Sequence, residues 1–149
     1  MVTQIASAFL ASFGFGIIFN IKGKHLIFAS IGGALSWYSY LYLKENNVSD
    51  ILSLFISSIF FSIYSEICAR RLKTPVTTIV VCALIPLVPG SGMYYTMYET
   101  ISGNINNAVE LGVNTLASAG TLALGVIFVS TITKQVTNIK KVKEKLLEK

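Results

Sequence analysis

Pro86, Pro89, Gly90 and Gly92 interrupt an apolar stretch that runs from Val76 to Tyr98, and Ser91 sits inside the interruption. Proline removes a backbone donor and its ring clashes with the preceding turn, so two prolines three residues apart break a helix. Hydrocarbon cannot pair the freed peptide groups, so such a break must be buried in protein or line a water-filled cavity. A half-helix restarting there aims its N-terminal amides and the positive end of its dipole outward, which suits a carboxylate. The spacing predicts Ser91 as cap of the second half-helix, with the amides of Gly92 and Met93 facing a ligand. Tyr94 and Tyr95 would then be cavity walls. A plain kink with Tyr94, Tyr95 and Tyr98 as an interfacial aromatic belt is the alternative.

Three carboxylates fall in or beside apolar runs. Glu66 shares a helix stripe with Ser58, Ser62 and Ser65, and Arg70 follows one turn later. Two roles are open to Glu66: a structural ion pair with Arg70, or a titrating proton carrier, since a carboxylate within a bilayer is costly and tends to be functional. Glu110 opens the last apolar run with Asn114 one turn on, both candidates for a polar cavity wall and Glu110 a second proton-coupling candidate. Glu99 is expected in a solvated loop.

Other chemistries find no support. His25 is the sole histidine and sits in a basic loop, which excludes most acid–base triads and metal-hydroxide mechanisms. Gly90-Ser91-Gly92 lacks the spacing of a nucleophile elbow, and no phosphate-binding P-loop is present. Cys68 and Cys82, with thirteen residues between them, read as small apolar side chains rather than metal ligands. An enzyme is therefore not expected, nor a cofactor or metal.

The elements that hold these residues are membrane spans. Of the 149 residues, 53% are hydrophobic and 13% charged, against about 25% charged in a soluble domain. Four runs approach the about 20 residues that cross hydrocarbon: Val2 to Phe19, Leu26 to Leu43, Ile51 to Ala69 and Leu111 to Ile132, the last with a more polar start at Ile105. The broken stretch makes a fifth. Val2 to Phe19 lacks the basic start and cleavage site of a secretion signal and is expected to remain as a span. The small residues Ala29 and Gly33, Ser30 and Ala34, and Ala117, Thr121 and Gly125, each pair four apart, predict close helix packing.

Lys22 and Lys24 lie in the first connection, Arg70, Arg71 and Lys73 in the third, and six lysines from Lys134 onward in the tail. Five crossings put all of these on one face, which the positive-inside rule makes cytoplasmic, with the N-terminus outside. The net charge of +5 thus reflects lipid anchoring rather than nucleic acid. The sequence predicts an all-α, polytopic membrane helix bundle of about five transmembrane helices, one broken at Pro86–Gly92. Residues 1–133 form the transmembrane domain. Residues 134–149 form a basic cytoplasmic tail, helical through Val136, Ile139, Val142 and Leu146, with its lysines on head groups.

The Pro86 to Tyr95 segment, Glu66-Ile-Cys-Ala69-Arg70-Arg-Leu-Lys73-Thr-Pro75 before it, and Phe13-Gly-Phe-Gly-Ile-Ile-Phe19-Asn20 together resemble the threonine/serine exporter (ThrE) superfamily, most closely its small, YjjB-like subunits. The resemblance implies a secondary exporter, an antiporter driven by an ion gradient such as protons, in a prokaryotic inner membrane. Its substrates would be threonine, serine or related small carboxylates. It also implies a hetero-oligomer with a larger, YjjP-like membrane subunit. On that basis Pro86, Pro89, Gly90, Ser91, Gly92, Tyr94, Tyr95 and Asn114 are the expected substrate-contacting residues, with Glu66 and Glu110 as proton sites. A non-catalytic scaffold that stabilises a larger transport partner is the competing role.

Overall fold

The computed structural model describes residues 1–147, with side chains described through Thr137. Among the described residues every regular element is helical: α1 (Val2–Ile18), α2 (Lys24–Glu45), α3 (Asp50–Leu72), α4 (Val76–Leu84), a 3₁₀ turn (Ile85–Leu87), α5 (Gly90–Ile101) and α6 (Ile105–Leu147). The connections are short and follow the polar residues between apolar runs. Four of them turn through residues of positive φ: Asn20 at 57° and Gly23 at 62° in the first, then Asn47 at 60°, Lys73 at 52° and Gly103 at 82°. Lys73 closes α3 after Arg70 and Arg71, whose charges suit the negative end of its dipole.

Three helices are long and apolar enough to cross a membrane: Lys24–Glu45, Asp50–Leu72 and Ile105–Thr137. Val76–Leu87 and Gly90–Ile101 make a fourth if the pair, bent by 55°, is one broken span. The sequence expectation of about five also counts α1, which at 17 residues falls just short of the other spans. The lysine-rich face expected of the tail, with Ile139, Val142 and Leu146, lies outside the residues whose side chains are described.

α2 and α3 form the centre, with α1 and α4 packed against α2 and with α4 also on α3. Apolar contacts gather in two clusters. One holds Ala29, Cys68, Ala69, Ile79 and Cys82, the two cysteines being free thiols; the other holds Leu54, Phe61, Ala83, Leu87 and Leu122. Serine supplies much of the rest of the interior: Ser12, Ser30, Ser36, Ser53, Ser57, Ser58, Ser62 and Ser65 are all buried. Short side chains let backbones approach, which is how helices gain van der Waals contact in lipid. A Cβ on Gly33 would stand 2.6 Å from Ser12 Cβ, so α1 and α2 meet as closely as glycine permits. Large apolar side chains such as Leu10, Phe60, Leu116 and Phe128 instead face outward, as lipid-facing surfaces require.

α6 rests on α3 and on α5. Leu122, Gly125 and Val129 form its buried stripe, and a Cβ on Gly125 would lie 2.8 Å from Ser58 Cβ. The expected packing row of Ala117, Thr121 and Gly125 is therefore only partly used, for Ala117 is exposed. Residues four apart advance about 40° around a helix of 3.6 residues per turn, so eight residues turn Ala117 away from the face of Gly125.

Candidate functional site

Pro86 has no amide to give, so the α4 ladder cannot continue through it, and the chain tightens into the 3₁₀ turn Ile85–Leu87. Val88 is extended at φ −58°, ψ 129°, as the residue before a proline tends to be, and Pro89 becomes the N-cap of α5. This corrects the assignment of Ser91 as the cap: Ser91 lies inside the first turn, and the N-cap forms no side-chain hydrogen bond. The first turn closes when the Met93 amide donates to the Pro89 carbonyl at 3.1 Å, so Met93 is not open either. The Gly90 amide donates to Val88 O at 2.7 Å. Among the described residues the amides of Ser91 and Gly92 are left without a main-chain partner.

The first half of the break is built into the bundle. Leu87 is 3% exposed, and the 3₁₀ turn packs on α1 and α2. Ser36 Oγ lies 2.8 Å from both Gly33 O and Ala83 O and shares its one proton between them, tying α2 to the last turn of α4. The second half is different. α5 has no buried residue, and Ser91, Tyr94 and Tyr95 are exposed. Tyr94 stacks on Tyr98 at 6.4 Å and meets Tyr95 edge-on at 5.3 Å, forming an aromatic row on the surface.

α5 is held by α6, which runs back alongside it. Gly92 abuts Thr115, and Gly112 faces Thr96. Asn114, next to Thr115, thus reaches the level of Ser91 and Gly92 and is exposed there, with Glu110 exposed one turn away. Glu99 belongs to α5 rather than to a loop, and its Oε2 is shut off from solvent with no hydrogen-bond partner.

Two clefts touch the break. One, of about 360 Å³, sets Pro86 beside Trp37 and the α1 residues Thr3, Gln4, Ser7, Ala8 and Ala11. Thr3, Gln4 and Ser7 were not anticipated as site residues, although polar residues three and four apart in an apolar run were the available signal. The other, of about 300 Å³, has apolar walls and separates Val88 and Pro89 from Leu122 and Val126 of α6. Neither includes Ser91, Gly92, Tyr94 or Tyr95.

Glu66 lies elsewhere. It is 15% exposed at its side chain, with Arg70 Nε 3.5 Å from its Oε2, and Arg70 Nη2 donates to Thr137 Oγ1 at 2.7 Å. A cleft of about 280 Å³ adjoins this pair, between Ile63, Ile67 and the α6 residues Ile132, Thr133 and Val136. Thr133 is nineteen residues beyond Asn114 on α6, or about 28 Å at 1.5 Å per residue. The structure therefore brings Ser91, Gly92 and Asn114 to one level and keeps Glu66 at the far end.

The apolar helices and outward-facing hydrophobic side chains make this an all-helical membrane protein. Its sequence matches the model of the family described as Threonine/Serine exporter, ThrE, over residues 4–132, and the chain belongs to that family. Membership makes it a component of a threonine/serine exporter, a transporter rather than a member of an enzyme family. No curated protein and no solved structure matches it.

Proposed function

We propose that this chain is the small subunit of a proton-coupled antiporter that exports threonine, serine or related small carboxylates, completed by a larger membrane subunit. One observation carries the reading: at the α5 N-terminus the Ser91 and Gly92 amides have no main-chain partner among the described residues, and Ser91 is exposed. A membrane cannot leave such amides to lipid, so a second protein surface and a solute must meet them. The partner would close over Ser91, Tyr94, Tyr95 and Asn114, turning an exposed ledge into a site. The solute carboxylate would take the two amides, the tyrosines would wall its side chain, and Pro86, Pro89 and Gly90 would fix the shape of the ledge.

In this reading α1 is the first of five crossings in the inner membrane, with the N-terminus outside and residues 134–149 in the cytoplasm. Glu66 carries the proton at the cytoplasmic end, with Glu110 as the outer alternative. The exposed tyrosine row equally suits a scaffold that only grips a partner, so the two roles need separating.

Ser91→Pro removes one amide at a place where the first helical turn tolerates proline. In the reconstituted two-subunit complex it should raise KM for serine export at least ten-fold with normal complex yield, while Ser91→Ala, which keeps the amide, stays near wild type. A scaffold predicts lower yield and unchanged transport per complex. Glu66→Gln should abolish proton-coupled export and leave assembly intact; full activity in that variant removes the proton role.

A further inference from the structure

The α5–α6 hairpin stands beyond the end of the bundle. α3 and α6 run parallel in one register, since Ser58 meets Gly125 and, twelve residues on in both helices, Arg70 reaches Thr137. The start of α3 at Asp50 is therefore level with Ala117, and the α6 residues from Ile105 to Leu116 rise past it by about 18 Å at 1.5 Å per residue. α1 begins near the same level: Ser12 meets Gly33, so Val2, ten residues earlier, lies beside the last turn of α2. α5 climbs antiparallel to α6, with Gly92 on Thr115 and Gly112 facing Thr96, and none of its residues is buried.

The bilayer cannot rise with the hairpin. The 23 residues of α3 already fill the hydrocarbon, and the connection before it carries Lys44, Glu45 and Asp50, charges that cannot sink that far into oil. Head groups add only about 5–8 Å on each side. The ledge of Ser91 and Gly92 thus lies at the membrane surface, and most of the hairpin stands in water beyond it. Its two flanks differ. The facing stripes are Gly92 with Thr96 and Gly112 with Thr115. At 3.6 residues per turn, Met93 and Met97 then share one flank with Ile105, Val109, Val113 and Leu116, while Tyr95, Tyr98, Glu110 and Asn114 fall on the other. The six apolar side chains are between 58% and 73% exposed. At roughly 100 Å² apiece they offer about 600 Å², more than a monomer usually leaves bare to water in one patch.

We infer that this flank is an interface with the same flank of a second copy of the chain, in a dimer whose two-fold axis is normal to the membrane. Set flank to flank, two copies cover about 1,200 Å², which reaches the range of specific, stable interfaces. Both copies hold the same orientation in the membrane, so their hairpins stand side by side and pair like with like. That pairing brings no like charges together: Glu110 lies on the opposite flank, and Glu99 lies in the α5 stripe that faces α6. Ser91, Tyr95 and Asn114 stay uncovered in the dimer, so each copy keeps its ledge for a larger subunit. The dimer itself does not depend on the exporter reading.

The test uses the purified full chain in phosphatidylcholine liposomes, with Cys68→Ala and Cys82→Ala removing the native thiols. Val109→Cys in that background should join two copies through a short bis-maleimide, and Asn114→Cys, on the opposite flank, should not. Adding Met97→Arg should cut the Val109→Cys crosslinking rate at least ten-fold, while Tyr98→Arg leaves it within two-fold. Circular dichroism checks that each variant keeps its helix content; should Met97→Arg lose it, the contrast between Val109→Cys and Asn114→Cys decides. Absent crosslinking at Val109, equal crosslinking at Asn114, or equal sensitivity to Met97→Arg and Tyr98→Arg each overturns the inference. So does a Val109→Cys chain that, in the two-subunit complex, links only to the larger subunit, for that subunit would then be the occupant.

Discussion

Replacing Gly125 by alanine should loosen the seam that holds α6 on α3. The added Cβ would stand 2.8 Å from Ser58 Cβ and 3.3 Å from the Phe55 carbonyl oxygen, whereas non-bonded carbons settle at about 3.5–4.0 Å. The neighbour is a Cβ bonded directly to backbone, with no flexible tip to swing aside, so the helices themselves must part by about 1 Å. Overpacking of this kind typically destabilises by about 1–3 kcal/mol, or roughly 5- to 150-fold in the folding equilibrium. Trp37, the sole tryptophan, packs against the cluster that contains Leu122 of α6, so its fluorescence reports the seam during SDS unfolding of the purified chain in mixed micelles. Ser58→Gly removes the opposing Cβ at a helix-propensity cost of about 1 kcal/mol. The double variant should therefore be more stable than the sum of the two single changes by about 1 kcal/mol or more. A Gly125→Ala loss below about 0.5 kcal/mol, or strict additivity in the double variant, refutes the close approach as the cause.

Ser36→Ala leaves the Ala83 carbonyl without the hydroxyl that reaches it from α2 and should destabilise by about 1–3 kcal/mol in the same unfolding assay. Gly92→Ala would press a Cβ to 3.3 Å from Thr115 Cβ and closer to its hydroxyl, so hydrogen exchange in α5 should quicken by roughly ten-fold or more; adding Thr115→Ala should restore most of the protection. Arg70→Ala should change stability by less than about 1 kcal/mol, because about half of its side chain is exposed and the Glu66 contact is long at 3.5 Å. A larger loss there would mean that the Arg70 hydrogen bond to Thr137, rather than packing around it, holds the end of α3 to α6.

The helices were legible because their apolar runs are long and the charges cluster between them; the break was legible because proline's missing amide acts wherever it stands. The restart was harder to read. Ser91 has the chemistry of a cap, but Pro89 already holds a fixed φ of −75°, and Gly90 follows without a Cβ to resist the turn, so the helix begins a residue earlier than its best capping side chain. Glu99 looked like a loop residue because polar Thr100, Ser102 and Asn104 follow it, yet α5 continues to Ile101. The long-range arrangement left almost no trace. Nothing in the spacing says that Ser12 meets Gly33, that Ser58 meets Gly125, or that His25 and Thr77, fifty-two positions apart, share a cleft. Those contacts depend on how helices cross, and small residues permit many crossings.

The unequal helix lengths have a consequence for the surrounding lipid. At 1.5 Å per residue, the 17 residues of α1 span about 25 Å and the 23 residues of α3 about 35 Å. With α1 as a crossing, the bilayer beside it must pinch below its usual hydrocarbon thickness of about 30 Å, while α3 can tilt to fit. The resulting dimple would follow α1, whose polar Thr3, Gln4 and Ser7 flank Pro86. Water would thereby have the least depth of oil to penetrate at the very place where the fourth span is broken.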